Sequence, residues 1–138
     1  MILVDSNIWI YYLDASLPEH NYAVSFLEKL IEEKNIAITT IIIIEVCHYL
    51  YKRLGADFGH QKSELFILGG FHIIDFHHTD LMNFRENFKL NLHLGLGGRD
   101  ITVLTSMIKA GIDTIATHDQ DFKYLNQIKV LDPIKSYI

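Results

Sequence analysis

Four acids, Asp5, Glu45, Asp100 and Asp119, stand where strand-like apolar runs hand over to helices or where a helix begins. Asp5 ends Ile2-Leu3-Val4, Glu45 lies one turn into the helical pattern after Ile36-Ala37-Ile38-Thr39, and Asp119 follows the run Ile112 to Thr117. Asp100 heads a long apolar helix. Parallel strands bring their carboxyl ends to one edge of a sheet, where ligands bind, so these side chains converge if strands one, two and four are neighbours. Clustering has a consequence: two carboxylates about 5 Å apart at an effective dielectric near 20 repel by roughly 3 kcal/mol, and a group of four requires a cation. All-oxygen donors, with no Cys and no obligatory His, suit Mg2+ or Mn2+ rather than Zn2+. Such an ion activates water and stabilises charge on a phosphate under attack, the chemistry of phosphodiester hydrolysis.

Each acid also has a plain structural reading. Asp5, Asp100 and Asp119 are suitable helix caps, worth about 1 kcal/mol each. Glu45 is not, because it sits inside an apolar run where a buried carboxylate needs a partner. Tyr49 and Lys52 follow Glu45 at helical spacings, and Arg99 adjoins Asp100; these suit guiding a phosphate backbone, or being salt-bridged and solvated. Glu45 and His48 have a Glu-x-x-His spacing, but a di-iron bundle needs two such pairs. His77-His78 beside Asp80 reads as a polar loop, and the other histidines lack zinc-site spacing. Gly95 to Gly98 lacks the P-loop spacing and reads as a turn with helix capping.

The elements that would position the acids alternate. After the strand Ile2 to Val4 comes an amphipathic run Ile8 to Leu13, in which Trp9, Tyr11 and Tyr12 suit packing on a sheet. Pro18 and Glu19 open a second helix, with Ala23, Phe26, Leu27, Leu30 and Ile31 at helical spacings, closed by Asn35. The strand Ile36 to Thr39 precedes a helix for which Thr40 is the expected cap and Ile44, Cys47, His48 and Tyr51 the expected inward face. Gly55 and Gly59 frame an expected loop before a shorter helix, Gln61 to Leu68, which stops at Gly69-Gly70. A third strand, Phe71 to Asp75, leads to a helix from Thr79 to about Asn91 with Thr79 as cap. The helix opened by Arg99-Asp100 carries Ile101, Leu104, Ile108 and Ala110 and ends at Gly111. Then follow a fourth strand, a short helix Phe122 to Asn126, and a fifth strand Ile128 to Leu131. This alternation predicts an α/β fold with a mainly parallel central sheet of about five strands flanked by helices, as a single domain over residues 1–138.

Composition narrows the class. The chain of 138 residues is 49% hydrophobic with only two prolines, as expected of a folded globular protein. Its one cysteine, Cys47, cannot form an internal disulfide and reads as a small buried thiol, which suits a reducing, cytoplasmic setting. The longest apolar segment, Ile36 to Tyr51, is interrupted by Thr39, Thr40 and Glu45 and falls short of the ~20 residues of a membrane span, so a soluble protein is expected. Twelve Lys and Arg against 17 Asp and Glu, a formal charge of −5, argue against a broad basic nucleic-acid-binding face. They do not exclude an enzyme on nucleic acid whose acids carry bound cations.

Over nearly its whole length the chain resembles the PIN-domain ribonucleases, and among them the VapC-type toxins of prokaryotic toxin–antitoxin pairs. The resemblance rests on Val4-Asp5-Ser6-Asn7, on Ile44-Glu45-Val46, on Asp100 heading its helix, and on Thr117-His118-Asp119-Gln120-Asp121-Phe122. It implies a doubly wound sheet, a Mg2+- or Mn2+-dependent endoribonuclease site, a homodimer, and a small antitoxin protein as partner. Asp5, Glu45, Asp100 and Asp119 match the acidic quartet of the family as metal ligands and catalytic residues. Asp121 matches a less constant neighbour, and Ser6, Asn7 and Thr117 match positions that support the acids. His118 occupies a variable position; it reads as a solvent-facing loop histidine or as a group that holds a phosphate or water. Two rival classes use similar features: a binding module that holds RNA or protein without cleaving it, and an aspartyl-phosphate domain. Against the second, Asn7 stands where the Asp-x-Asp pair of a phosphatase would place an acid.

Overall fold

The computed structural model describes residues 1–134, so the last four residues of the expected 1–138 domain lie outside the described residues. Strands β1 (Ile2–Val4), β2 (Ile36–Thr39), β3 (His72–Ile74), β4 (Thr114–Ala116) and β5 (Lys129–Leu131) alternate with helices. The helices are α1 (Ser6–Leu13), α2 (His20–Glu32), α3 (Thr40–Ile67), α4 (Leu81–Asn91) and α5 (Gly98–Ala110). The strands form one sheet in the order β3-β2-β1-β4-β5, and every pairing is parallel.

Burial explains the strand sequences. A parallel strand covered on both faces has no polar side to present, and β2 is buried at all four positions, as are Leu3 and Val4 of β1. In register, Leu3 lies between Ala37 of β2 and Ile115 of β4, and Val4 pairs with Ala116. Successive strands extend outward from β1 in both directions, so the switch point of the sheet falls between β1 and β4, the position at the carboxyl edge where such sheets bind ligands. Two hydrogen bonds prolong the ladders toward that edge, from Asp5 N to Ala116 O at 2.9 Å and from Thr117 N to Leu131 O at 3.0 Å. On α1, Trp9 is 1% exposed and packs its ring against Phe66 and Phe71, with centroids 5.1 and 4.7 Å away.

Several expectations are corrected. Thr39, not Thr40, caps α3: its Oγ1 accepts the Ile42 N–H at 3.1 Å, while Thr40 Oγ1 accepts the Phe76 N–H at 3.2 Å. The inward face is Ile42, Val46 and Leu50, with Ile44, His48 and Tyr51 exposed and Cys47 half-buried. Four consecutive isoleucines carry no periodicity from which to read that phase. No loop separates Gly55 from Gly59. The chain bends sharply at Gly55, whose φ of 84° is open to glycine, and resumes the helix at once. Gly59 is then buried against the backbone of Tyr51, so the second half of α3 leans on the first.

Thr79 is not a cap. It lies in a 3-10 turn, His78–Asp80, whose Asp80 carboxylate accepts the His77 N–H at 2.7 Å and pairs with Lys109 of α5 at 2.8 Å. Asp80 is thus buried and engaged rather than part of a polar loop. On α5, Ile108 and Ala110 face solvent, and the buried positions are Ile101 and Val103 through Met107. Gly111 ends α5 in the left-handed conformation, with φ 69°. The short helix near the end is a 3-10 turn two residues earlier, Gln120–Tyr124. Among the described residues no helix is long and apolar enough to cross a membrane.

Candidate active site

Asp5 leaves β1 at the carboxyl edge and is 1% exposed. A carboxylate buried this deeply needs donors, and it has them. Oδ1 caps α1 by accepting the Ser6 N–H at 2.8 Å, and Oδ2 accepts the Thr117 hydroxyl at 2.8 Å. The same Thr117 oxygen, itself fully buried, accepts the Asp119 N–H at 3.0 Å and the Asn7 side-chain amide at 3.2 Å. A hydroxyl has one donor and two acceptor positions, and all three are used. Asn7 Oδ1 accepts the His118 N–H at 3.2 Å, closing a polar seam between the ends of β1 and β4. Ser6 and Thr117 therefore bear on the acids directly, and Asn7 bears on them through Thr117 and His118.

The other acids gather around one side chain. Arg99, in the first turn of α5, grips Glu45 with both prongs of its guanidinium, Nε to Oε1 at 2.7 Å and Nη2 to Oε2 at 2.6 Å. Nη2 also donates a short hydrogen bond to Asp5 Oδ1 and a longer one, 3.1 Å, to Ser6 Oγ. Nη1 reaches Asp100 Oδ1 at 3.4 Å, and Asp100 Oδ2 accepts the Gly97 N–H at 3.2 Å. Three carboxylates borne on separate elements thus meet one cation. Bidentate arginine–carboxylate pairing of this kind is strong and sets orientation as well as energy. Burial alone would lower the proton affinity of Arg99, but its hydrogen bonds and charge pairing with Glu45 and Asp5 outweigh that and raise it.

Asp119 caps the 3-10 turn by accepting the Asp121 N–H at 3.0 Å. It lies close enough to Asp100 to act on its charge. Burial pushes the Asp100 carboxyl above the usual range and Asp119 adds to that, while the Gly97 N–H and Arg99 pull it back in part. Asp121 itself is exposed and offers the site its backbone.

The donor set fits a hard divalent ion: it is all oxygen, and three of its four members, Asp5, Glu45 and Asp100, already face one cationic position, while Asp119 makes no contact with it. Among the described residues, no group of three His, Cys, Asp or Glu side chains is set to hold a metal ion as the side chains stand. Asp5, Glu45 and Asp100 are instead paired with the Arg99 guanidinium. It distributes contacts of about 2.7–2.9 Å over several nitrogens, whereas Mg2+ draws oxygens to about 2.1 Å. Asp5 and Glu45 oxygens that share one nitrogen repel each other, and that repulsion is what either cation must offset.

The remaining candidates divide. Tyr49 donates a short hydrogen bond to Asp14, which also takes the Ser16 hydroxyl at 2.6 Å and Arg53 Nε at 3.3 Å, so its hydroxyl serves the α1–α2 turn. Lys52 is exposed and so is His48. Arg99, one of the candidates for RNA contact, is spent on carboxylates. His118 is not a free loop side chain, because its Nδ1 lies 2.9 Å from Asp132 Oδ2. Gln120 Nε2 reaches the same carboxylate at 3.2 Å. Asp132 went unnoticed in the sequence, yet it directly follows β5 at the edge where the other acids stand. The rule that strand ends point to the site, applied to the last strand, would have found it.

Comparison with known proteins agrees with this architecture. The PIN domain family model matches residues 2–127. Among solved structures, FitAB bound to an IR36 DNA fragment superposes with a TM-score of 0.79 at 21% identity, covering 100% of this chain and 99% of that one. VapC20 of Mycobacterium tuberculosis, described as a Sarcin-Ricin loop cleaving toxin, gives 0.73 at 19% identity over 90% of this chain and 94% of that one. A toxin–antitoxin complex from Klebsiella pneumoniae gives 0.71 at 22% identity over 99% and 100% of the two chains. No curated protein matches significantly by sequence. A parallel five-stranded sheet in this order, flanked by helices and matched by the family model over most of its length, assigns the chain to the PIN domain family.

Proposed function

We propose that this protein is a divalent-metal-dependent endoribonuclease and the toxin member of a toxin–antitoxin pair. The observation that carries the reading is the meeting of Asp5, Glu45 and Asp100, borne on separate elements, at one cationic position, with Asp119 acting on Asp100 from the end of β4. Those four residues would hold Mg2+ or Mn2+, which supplies activation of water and neutralisation of charge on the phosphate. The protein contributes position. Ser6 and Thr117 fix the Asp5 carboxylate, the Gly97 N–H fixes Asp100, and the Asn7–His118 bond fixes the loop that bears Asp119. His118, oriented by Asp132, and the exposed Lys52 are assigned to the RNA backbone.

The reading brings partners with it: a second copy of this chain as a homodimer, and a small antitoxin, as in the Klebsiella pneumoniae toxin–antitoxin complex. A cytoplasmic setting follows from that role. One observation favours a second reading, a non-catalytic module that binds RNA or protein: Arg99 already neutralises the acids that would otherwise call for a metal.

The two are separated by incubating a mixed RNA pool with pure wild-type protein and with Asp100→Asn, each in Mn2+ and in EDTA. Cleavage by the wild type in Mn2+ alone, lost by at least about 100-fold in the variant while its circular dichroism is unchanged, establishes the nuclease. RNA binding in EDTA without turnover in Mn2+ establishes the module.

A further inference from the structure

We infer that Arg99 is a built-in competitor for the metal: its guanidinium occupies the cationic position between Asp5 and Glu45, and must swing out before a divalent ion can be held there. The inference rests on the metal-site reading given above and concerns only what this chain does at that site. Arg99 is not a surface residue that happens to lie nearby. Its side chain is 27% exposed, and it makes hydrogen bonds to Glu45 through two nitrogens, to Asp5 and Ser6 through one of them, and to Asp100 through the third. The Asp5 oxygen it takes is the one not given to Thr117. A guanidinium and a divalent cation would therefore claim the same acceptors, and Coulomb repulsion between them forbids joint occupancy at contact distance. The side chain has somewhere to go. Arg99 lies in the first turn of α5, two residues from the exposed Gly97, and its long flexible stem lets the head reach solvent without moving the backbone.

Two consequences follow. The metal-free protein keeps its acids charge-paired and stays folded without an ion, whereas a bare carboxylate cluster would repel itself. Metal affinity is lowered by the cost of displacing the arginine, so occupancy becomes conditional on metal concentration rather than permanent.

The test is Mn2+ binding, followed by calorimetry and by the electron paramagnetic resonance signal of free Mn2+, in wild-type protein, Arg99→Gln and Arg99→Lys. Arg99→Gln is expected to bind at least ~10-fold tighter than wild type. Arg99→Lys, which keeps the charge and loses the fork, falls between them. Without metal, Arg99→Gln melts below wild type, and saturating Mn2+ raises its melting temperature by the larger amount. Equal or weaker Mn2+ binding by Arg99→Gln overturns the inference and leaves the metal site standing. Absence of Mn2+ binding in both proteins at millimolar metal overturns the metal site and the inference together. A direct readout uses the unaltered chain labelled with 15N. The Arg99 Nε–H resonance, assigned by its loss in Arg99→Lys, should be protected from solvent exchange without metal and lose that protection as Mg2+ saturates. Persistence of the protected signal at saturating Mg2+ refutes displacement, and this arm holds even if Arg99→Gln does not fold.

Discussion

Replacing Thr117 by valine removes one oxygen atom from the site and nothing else of comparable size, so it measures how far that hydroxyl holds the carboxyl edge together. The oxygen donates to Asp5 Oδ2 and accepts from the Asp119 N–H and the Asn7 amide, at 2.8, 3.0 and 3.2 Å, in a fully buried position. A buried group left without its partner costs about 1–3 kcal/mol. Asp5 retains the Ser6 N–H and Arg99 as donors and the Asn7 and Asp119 bonds are only partly buried, so each loss belongs near the lower end of that range, and the three together come to roughly 3–4 kcal/mol. For a chain of this length about 3.5 °C of melting temperature corresponds to 1 kcal/mol, which places Thr117→Val roughly 10–14 °C below wild type. Thr117→Ser keeps the hydroxyl and gives up a methyl group, at a cost of about 1 kcal/mol. Thermal unfolding by circular dichroism in EDTA, supported by urea midpoints, separates these values without invoking any activity. The reasoning is refuted if Thr117→Val melts within about 3 °C of wild type, or if Thr117→Ser falls as far as Thr117→Val, since the methyl group would then carry the effect.

Other perturbations read other parts of the molecule. A Cβ at Gly59 would stand 2.7 Å from Tyr51 Cα and 3.0 Å from Leu50 O, backbone atoms that cannot turn aside; Gly59→Ala should cost about 1–3 kcal/mol in urea unfolding, and a neutral result would deny the close approach. Hydrogen bonds from the Ser16 and Tyr49 side chains, with a further contribution from Arg53, hold the Asp14 carboxyl far below the usual range. Because its folded value is depressed, the stabilisation is present above the unfolded value near 3.9 and is lost as pH falls from there through the folded value. The stability gap between wild type and Asp14→Asn should therefore narrow between neutral pH and about pH 2, and a constant gap in urea midpoints across that range would contradict the pairing.

How much of this was legible in the sequence varies with the range of the interaction. The apolar triplet before Asp5 and the buried run before Thr39 announced strands covered on both faces, because no polar side was provided for. Left-handed Gly111 marked the end of α5 for a local reason, the steric freedom of glycine. The phase of α3 was not legible. A run of isoleucines is equally apolar on every face, and only the packing of α3 against the rest of the fold decides that Ile42 turns inward and Ile44 outward. Gly55 and Gly59 looked alike in sequence, yet one bends the helix and the other packs within it.

The sequence by itself determined the alternation of strand and helix and the placing of acids at the strand ends, since local periodicity and turn chemistry act over a few residues. Only the tertiary structure decided what those acids meet. Arg99 is 54 residues from Glu45 and 94 from Asp5, and no local rule connects them. Strand order brings β2, β1 and β4 side by side, and that proximity turns an ambiguous basic residue at the start of α5 into the counter-ion of the site.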